Sequence, residues 1–431
     1  MRRHAVGRAG ADGRLRREVG LGGAVLLGLG SMVGTGVFVS VGVAAGVSGR
    51  SVVAATLLAA LLAAANALST AQLAAAHPVS GGTYEYGYRW LTPALGFTVG
   101  WMFLLAKSAA AATAALGLGG YLRDLTDARS SGLHTLLAVL GALGITAFVA
   151  GGIRRSNRGN AIVVGVTLAG LFALILASIP AVVPLVTRRD ATGVDALLHG
   201  TALMFVAFTG YGRIATLGEE VREPARVIPR AVVVTMVVVS LLYLGVAMAG
   251  VGVLGTEAFG VAAERTAAPL DAVARALAVP LLPQAVAVAA ITAMAGVLLN
   301  LVLGLSRVLL AMARRGDAPA FLQRIDERRG SPVASVWACG LAIATIALVG
   351  NVRLTWSFSA FTVLVYYAIT NLAALRLPPK DRMFPRWVSV GGLVGCLSLA
   401  FRVEARVWLV GLVLIGVGLA GHVIARRRRT T

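Results

Sequence analysis

Apolar runs of about 20 residues recur from Leu21 to Ala425, separated by short loops rich in Arg, Gly and Pro. A run of that length crosses ~30 Å of hydrocarbon as a helix, and in lipid the backbone has to satisfy its own N–H and C=O groups. The chain is therefore read as an all-α, polytopic membrane protein. Spans are expected near 21–46, 52–76, 94–121, 132–151, 160–186, 196–217, 231–254, 283–312, 333–350, 355–375, 386–401 and 405–425, about twelve transmembrane helices between basic tails at 1–20 and 426–431. Composition agrees: 13% of residues are charged and mean hydropathy is +0.84, against about 25% charged in soluble domains. No separate soluble domain fits between the spans.

A net charge of +21 would suggest a nucleic-acid partner in a soluble chain. Here the arginines sit in short loops, so their distribution reports orientation instead. With an even number of spans both termini share one side, and the loops of that side hold 26 Lys and Arg against 10 opposite. The positive-inside rule then places both termini in the cytoplasm and the protein in the cytoplasmic membrane, with the lipid bilayer and a small molecule as partners and no nucleic acid. The apolar stretch from Leu21 exceeds the roughly 7–15 residues of a signal-peptide core, so the first span is expected to be retained. Cys339 and Cys396 fall inside expected spans, where free cysteine acts as a small hydrophobe, and no disulfide, metal or cofactor is implied.

Two spans carry glycine-rich interruptions at mid-membrane depth: Gly30-Ser31-Met32-Val33-Gly34-Thr35-Gly36-Val37-Phe38 in the first, and Phe208-Thr209-Gly210-Tyr211-Gly212 in the sixth. A broken helix inside lipid is tolerated where its backbone faces protein or a watery cavity, and paired breaks point to a transporter's substrate site. Spans 1–5 (about 21–186) and 6–10 (about 196–376) overlay so that the two breaks coincide. Five is odd, so the halves have opposite orientation: a five-plus-five inverted repeat with broken helices 1 and 6, and two additional helices at 386–425. In the first break the amides of Gly34, Thr35 and Gly36 open a half-helix, whose positive end suits a carboxylate. Gly30 and Gly34 also form a GxxxG pair that could serve plain helix packing. In the second break, carbonyls near Val206 and Thr209 would lose helical partners and could receive an ammonium group or a cation. Carboxylate on one break and amine on the other describe a zwitterion, over which Phe205, Phe208 and Tyr211 could close.

The second break and the string Glu219-Glu220-Val221-Arg222-Glu223-Pro224 resemble the sixth helix and following loop of the amino acid–polyamine–organocation (APC) permeases. His77-Pro78-Val79-Ser80-Gly81-Gly82-Thr83-Tyr84 is similar to that family's loop after helix 2, and Ala313-Arg314-Arg315-Gly316-Asp317-Ala318-Pro319 to the end of its helix 8. The resemblance covers about the first three quarters of the chain. It implies that amides around Thr35 and Gly36 bind a substrate carboxylate and that carbonyls of Met32, Val206 and Thr209 meet the amino group, with Phe208 and Gly210 alongside. It also implies that Gly81, Gly82, Glu219 and Glu220 shape an inner gate or structural motif. Where many members carry an acid this chain has Gly212, and where some proton-coupled members carry a lysine on helix 5 it has Thr167.

Lys107, inside the third span, is the remaining ionisable candidate. A charge near the bilayer centre costs about 2.5–3.5 kcal/mol on insertion scales, so it should face the bundle or a cavity. Lys107 is expected to act either as a cation standing in for a coupling ion or as a structural, snorkelling residue. Arg213 could meet a substrate carboxylate but is expected rather to pair with Glu219 or Glu220, and Arg307 to snorkel. An enzyme would need converging nucleophiles, acids or metal ligands, which the spans lack. The expectation is a secondary active transporter for amino acids or related small amines working by alternating access, with proton or sodium coupling open. The alternative is a transporter-like membrane sensor that binds without translocating. The oligomeric state is not readable.

Overall fold

A computed structural model describes residues 19–77, 82–125, 131–152, 157–182, 193–215, 221–326 and 328–430. Among the described residues there are no strands beyond two isolated bridges, and helices stand at each of the twelve expected spans. In chain order they are α1 (Leu21–Met32), a π-helical segment Gly36–Ser40 leading into α2 (Val41–Ser48), α3 (Val52–Ala76), α4 (Thr83–Trp90), α5 (Pro93–Leu125), α6 (Ser131–Ala150) and α7 (Asn157–Val182). Then follow α8 (Val194–Phe208), a 3-10 turn Thr209–Tyr211, α9 (Gly212–Ala215), α10 (Pro224–Leu254), α11 (Thr256–Thr266), α12 (Pro269–Ala276), α13 (Leu282–Arg315), α14 (Val333–Ala347), α15 (Val352–Leu375), α16 (Arg386–Ala400) and α17 (Ala405–Thr430). Nine stretches among the described residues are long and apolar enough to cross a membrane, and α1, α14 and α16 are shorter apolar helices. The protein is a polytopic all-α membrane protein.

Side-chain size decides which helices lie at the centre. In α5, small residues follow one another from Ser108 to Ala115, with Gly117, Gly119 and Gly120 after them, and small residues let helix backbones approach closely in lipid. A Cβ on Gly120 would collide with the Thr266 carbonyl, and one on Gly117 would lie 2.9 Å from Val39. Accordingly 83% of the most apolar window of α5 is buried, against 17% for α17. On the peripheral helices, large apolar side chains such as Leu140, Ile162, Leu176 and Val413 face outward, which is the surface that lipid covers.

Three short helices that periodic apolar runs did not announce cap the bundle. At one end, α4 packs against α5, its Tyr84 and Phe97 of α5 sharing a small core with Met312 of α13. At the other end, α11 lies on α2 so closely that a Cβ on Gly46 would stand 3.0 Å from the Gly260 Cα. There α12 is pinned to the core by Tyr121, whose hydroxyl donates to the Phe38 carbonyl (3.0 Å) and accepts from the Leu270 amide (3.2 Å).

Candidate functional site

Helix α1 ends at Met32. Val33 takes extended backbone, and Gly34 begins the turn that restarts the helix, its carbonyl accepting from Val37 and Phe38. The first N–H groups of a restarted helix have no intrahelical acceptor, so Gly34, Thr35 and Gly36 present donors at the break within the first span. The Thr35 hydroxyl is buried with no hydrogen-bond partner. The interruption in the sixth span is milder: α8 gives way to a 3-10 turn at Thr209 rather than to extended chain. The two breaks meet directly, because a Cβ on Gly210 would collide with the Ser31 carbonyl and one on Gly36 would lie 2.7 Å from the Ala207 Cβ.

A cavity of about 890 Å³ opens at this meeting point and runs to the α4 end of the bundle. Met32, Thr35, Gly36, Val206, Thr209 and Gly210 border its deep end, and Lys107 reaches the same level. Gly34 packs behind it against Val297, and Phe208 is fully buried with its ring 4.9 Å from that of Tyr243. Gly82 borders the mouth, where its positive φ of 55° caps α4, a conformation that favours glycine. Gly81, Glu219 and Glu220 lie outside the described residues, and with the two glutamates go the expected partners of Arg213. Arg213 itself borders the cavity, as does Arg307, which the inward face of α13 turns toward the opening.

The carbonyls expected to receive an amine already carry protein donors. The Tyr243 hydroxyl donates to Met32 O (2.6 Å) and to Ala207 O (3.1 Å), bridging the breaks. Val206 O, expected to lose its backbone partner, keeps one, because the 3-10 turn brings the Thr209 amide to it, and the Thr209 hydroxyl donates to it as well (2.7 Å); Tyr367 reaches Thr209 O at 3.4 Å. Lys107 Nζ donates to the Thr209 hydroxyl (2.9 Å), so its charge is buried at the second break rather than snorkelling to an interface. Asn300, on α13, donates to Gly30 O (3.4 Å) and keeps a buried Oδ1 without a partner beside the cavity. Tyr243, Tyr367 and Asn300 escape a reading of the sequence, because single polar residues in apolar runs look alike until the packing shows which face they occupy.

The mouth carries a polar cluster. Asp317, just past α13, accepts from the hydroxyls of Tyr84 (2.7 Å) and Tyr88 (2.5 Å) and faces His422 of α17 at 3.1 Å. Arg315 pairs with Glu85 (2.6 Å) and lies over the Tyr88 ring.

A family model described as amino acid permease matches residues 23–420. The chain belongs to the amino acid permease family. An uncharacterized transporter of Mycobacterium tuberculosis (strain ATCC 25618 / H37Rv) is 38% identical to this permease over 425 residues, 97% of this chain and 94% of the relative. A branched-chain amino acid permease of Bacillus subtilis (strain 168) is 25% identical, over 93% of this chain and 92% of its own. A vacuolar cationic amino acid transporter of Arabidopsis thaliana is 27% identical, over 78% and 56%. As a member of this family the permease is a transporter rather than an enzyme.

Proposed function

We propose that this permease is a secondary transporter of amino acids or related small amines in the cytoplasmic membrane, with both termini inside. The observation that carries the reading is the cavity itself: it begins at the two helix breaks and opens at the α4 end, while α11, α12 and Tyr121 cover the opposite end. A site at mid-depth with one open path fits one state of an alternating-access cycle. The excess of basic residues at the α4 end makes that end cytoplasmic, so the state is inward-open.

In this cycle the substrate carboxylate meets the amides of Gly34, Thr35 and Gly36 and the Thr35 hydroxyl. Its ammonium shares the carbonyls of Met32 and Thr209, each of which keeps a second lone pair beside the tyrosine hydroxyl it accepts, with Val206 beside them. The five-plus-five repeat rocks about the breaks, and the stretches around Gly81, Gly82, Glu219 and Glu220 shape closure of the inner side. Lys107, tethered to the second break, stands where a coupling cation would otherwise be required.

Uptake of labelled amino acids into proteoliposomes, with and without imposed proton and sodium gradients, tests the reading. Accumulation or exchange is expected, and Lys107→Met is expected to change the rate and its pH dependence. Binding without accumulation or exchange would make the protein a sensor, and an unaltered Lys107→Met would remove Lys107 from coupling.

A further inference from the structure

The described lining of the cavity is electrically one-sided. Lys107, Arg307, Arg314 and Arg315 border it, and the one acid among its described lining residues, Glu85, is bonded to Arg315 at the mouth. At the deep end the imbalance is sharper. Lys107 is buried and spends its hydrogen bond on the neutral hydroxyl of Thr209, which passes its own proton on to Val206 O. The backbone acceptors around it are engaged by Tyr243 and Tyr367. What the deep end offers is a donor set, the opening amides of the restarted helix with the orphaned Thr35 hydroxyl, and acceptors that are all neutral, Asn300 Oδ1 and the main-chain carbonyls that end α1.

From this arrangement we infer that the site selects ligands with a carboxylate and no net positive charge, and that Lys107 is the residue that rejects cationic ones. The inference rests on the proposed binding site and names the charge class of its substrate. A carboxylate satisfies the donors and offsets the Lys107 ammonium. The ammonium of a zwitterion finds Asn300 Oδ1 and the shared carbonyls, so the pair enters neutral. A second cation on the side chain, as in lysine or arginine, or any cation of a polyamine, which carries no carboxylate, has no anion to meet and approaches a buried ammonium. At an effective dielectric of about 20, two such charges roughly 8 Å apart repel by enough to weaken binding about 30-fold. Relatives of this chain are named for branched-chain and for cationic amino acids, so family membership leaves the charge class open and this pocket decides it.

The test is a binding panel on the purified full-length protein, read by calorimetry and thermal shift. It holds leucine, methionine, citrulline and glutamate against ornithine, lysine, arginine and spermidine. At least one neutral or acidic member is expected to bind, with each cationic member about 30-fold weaker or more than the best neutral one. In Lys107→Met the gap is expected to narrow, and in Lys107→Arg, which keeps the charge, to persist. A cationic member binding within about 3-fold of the best neutral one overturns the inference, and so does a panel in which no neutral or acidic member binds. A normally melting Lys107→Met with an unchanged gap overturns the role of Lys107. The wild-type arm decides even if that variant fails to fold. The expected order of binding without transport in proteoliposomes would support the charge selection while removing the permease reading.

Discussion

At the scale of single residues, the site depends on how closely two backbones approach. Gly210 leaves no room for a methyl group against the Ser31 carbonyl and Met32, and the obstacle is largely backbone, which cannot swing away as a flexible side chain would. Gly210→Ala is therefore expected to cost about 1–3 kcal/mol of stability and to weaken substrate binding, checked by the denaturation midpoint and by calorimetry. Gly416, with open space where its Cβ would be, is the matched position where alanine should change neither. Tyr243 holds the same junction by chemistry. Tyr243→Phe keeps the ring beside Phe208 but leaves the Met32 and Ala207 carbonyls without that donor. The expected loss is about 1–2 kcal/mol in melting experiments, with a proportionate fall in uptake. The glycines pointed to this junction in the sequence because they cluster at matching places in two apolar runs, which GxxxG packing at Gly30 and Gly34 alone does not account for. Tyr243 did not announce itself, and neither did the bond between Lys107 and Thr209, because residues 102 positions apart meet through packing that no local pattern encodes.

At the scale of elements, the long helices were legible because lipid forces a simple rule on apolar runs, whereas α4, α11 and α12 follow no such rule. The stretch from Thr256 to Ala276 contains Glu257, Glu264, Arg265, Asp271 and Arg275, charges that read as a loop between spans. It folds into two helices that bury one face, including Phe259, Ala263 and Leu270, against the bundle. The outer network these helices join is ionic: Arg353 pairs with Glu264 of α11 (3.1 Å) and with Glu404 before α17 (2.9 Å), and His199 stands 3.6 Å from Glu404. Burial works to raise the Glu404 carboxyl, but the adjacent His199 imidazole and its own amide outweigh this and bring it from 4.5 down to about 2. A carboxyl depressed in the folded state contributes stability above its unfolded pKa and loses it as pH falls through the folded value. The melting temperature of wild type should therefore exceed that of Glu404→Gln near pH 6, and the gap should shrink as pH falls from about 4.5 toward 2. A gap that stays constant through that window would detach Glu404 from the network.

At the scale of the whole molecule, the asymmetry between a covered end and an open one turns a fold into a direction of access. In the proposed orientation charge counting assigns the cytoplasmic end, but which end is open is a property of packing: Tyr121, Phe38 and Leu270 join across one end, while the Asp317 cluster at the other leaves the cavity mouth clear. The native thiols suit a labelling experiment, since Cys339 and Cys396 are 4% and 0% exposed. A cysteine at Ala311, which borders the cavity on α13, is expected to react with a membrane-impermeant maleimide added at the cytoplasmic face of inside-out vesicles and to stay unreactive in right-side-out ones. A cysteine at Val39, fully buried beyond the first break, should be protected from both sides in this state. It should become reactive from the outer face only when transport turns the bundle over. If Ala311→Cys reacts equally from both faces, the cavity is a pore and the break-centred rocking mechanism fails. If Val39→Cys never reacts while substrate accumulates, the moving part is not the half-helix that follows Gly34, and the hinge has to be sought on the α8–α9 side of the junction.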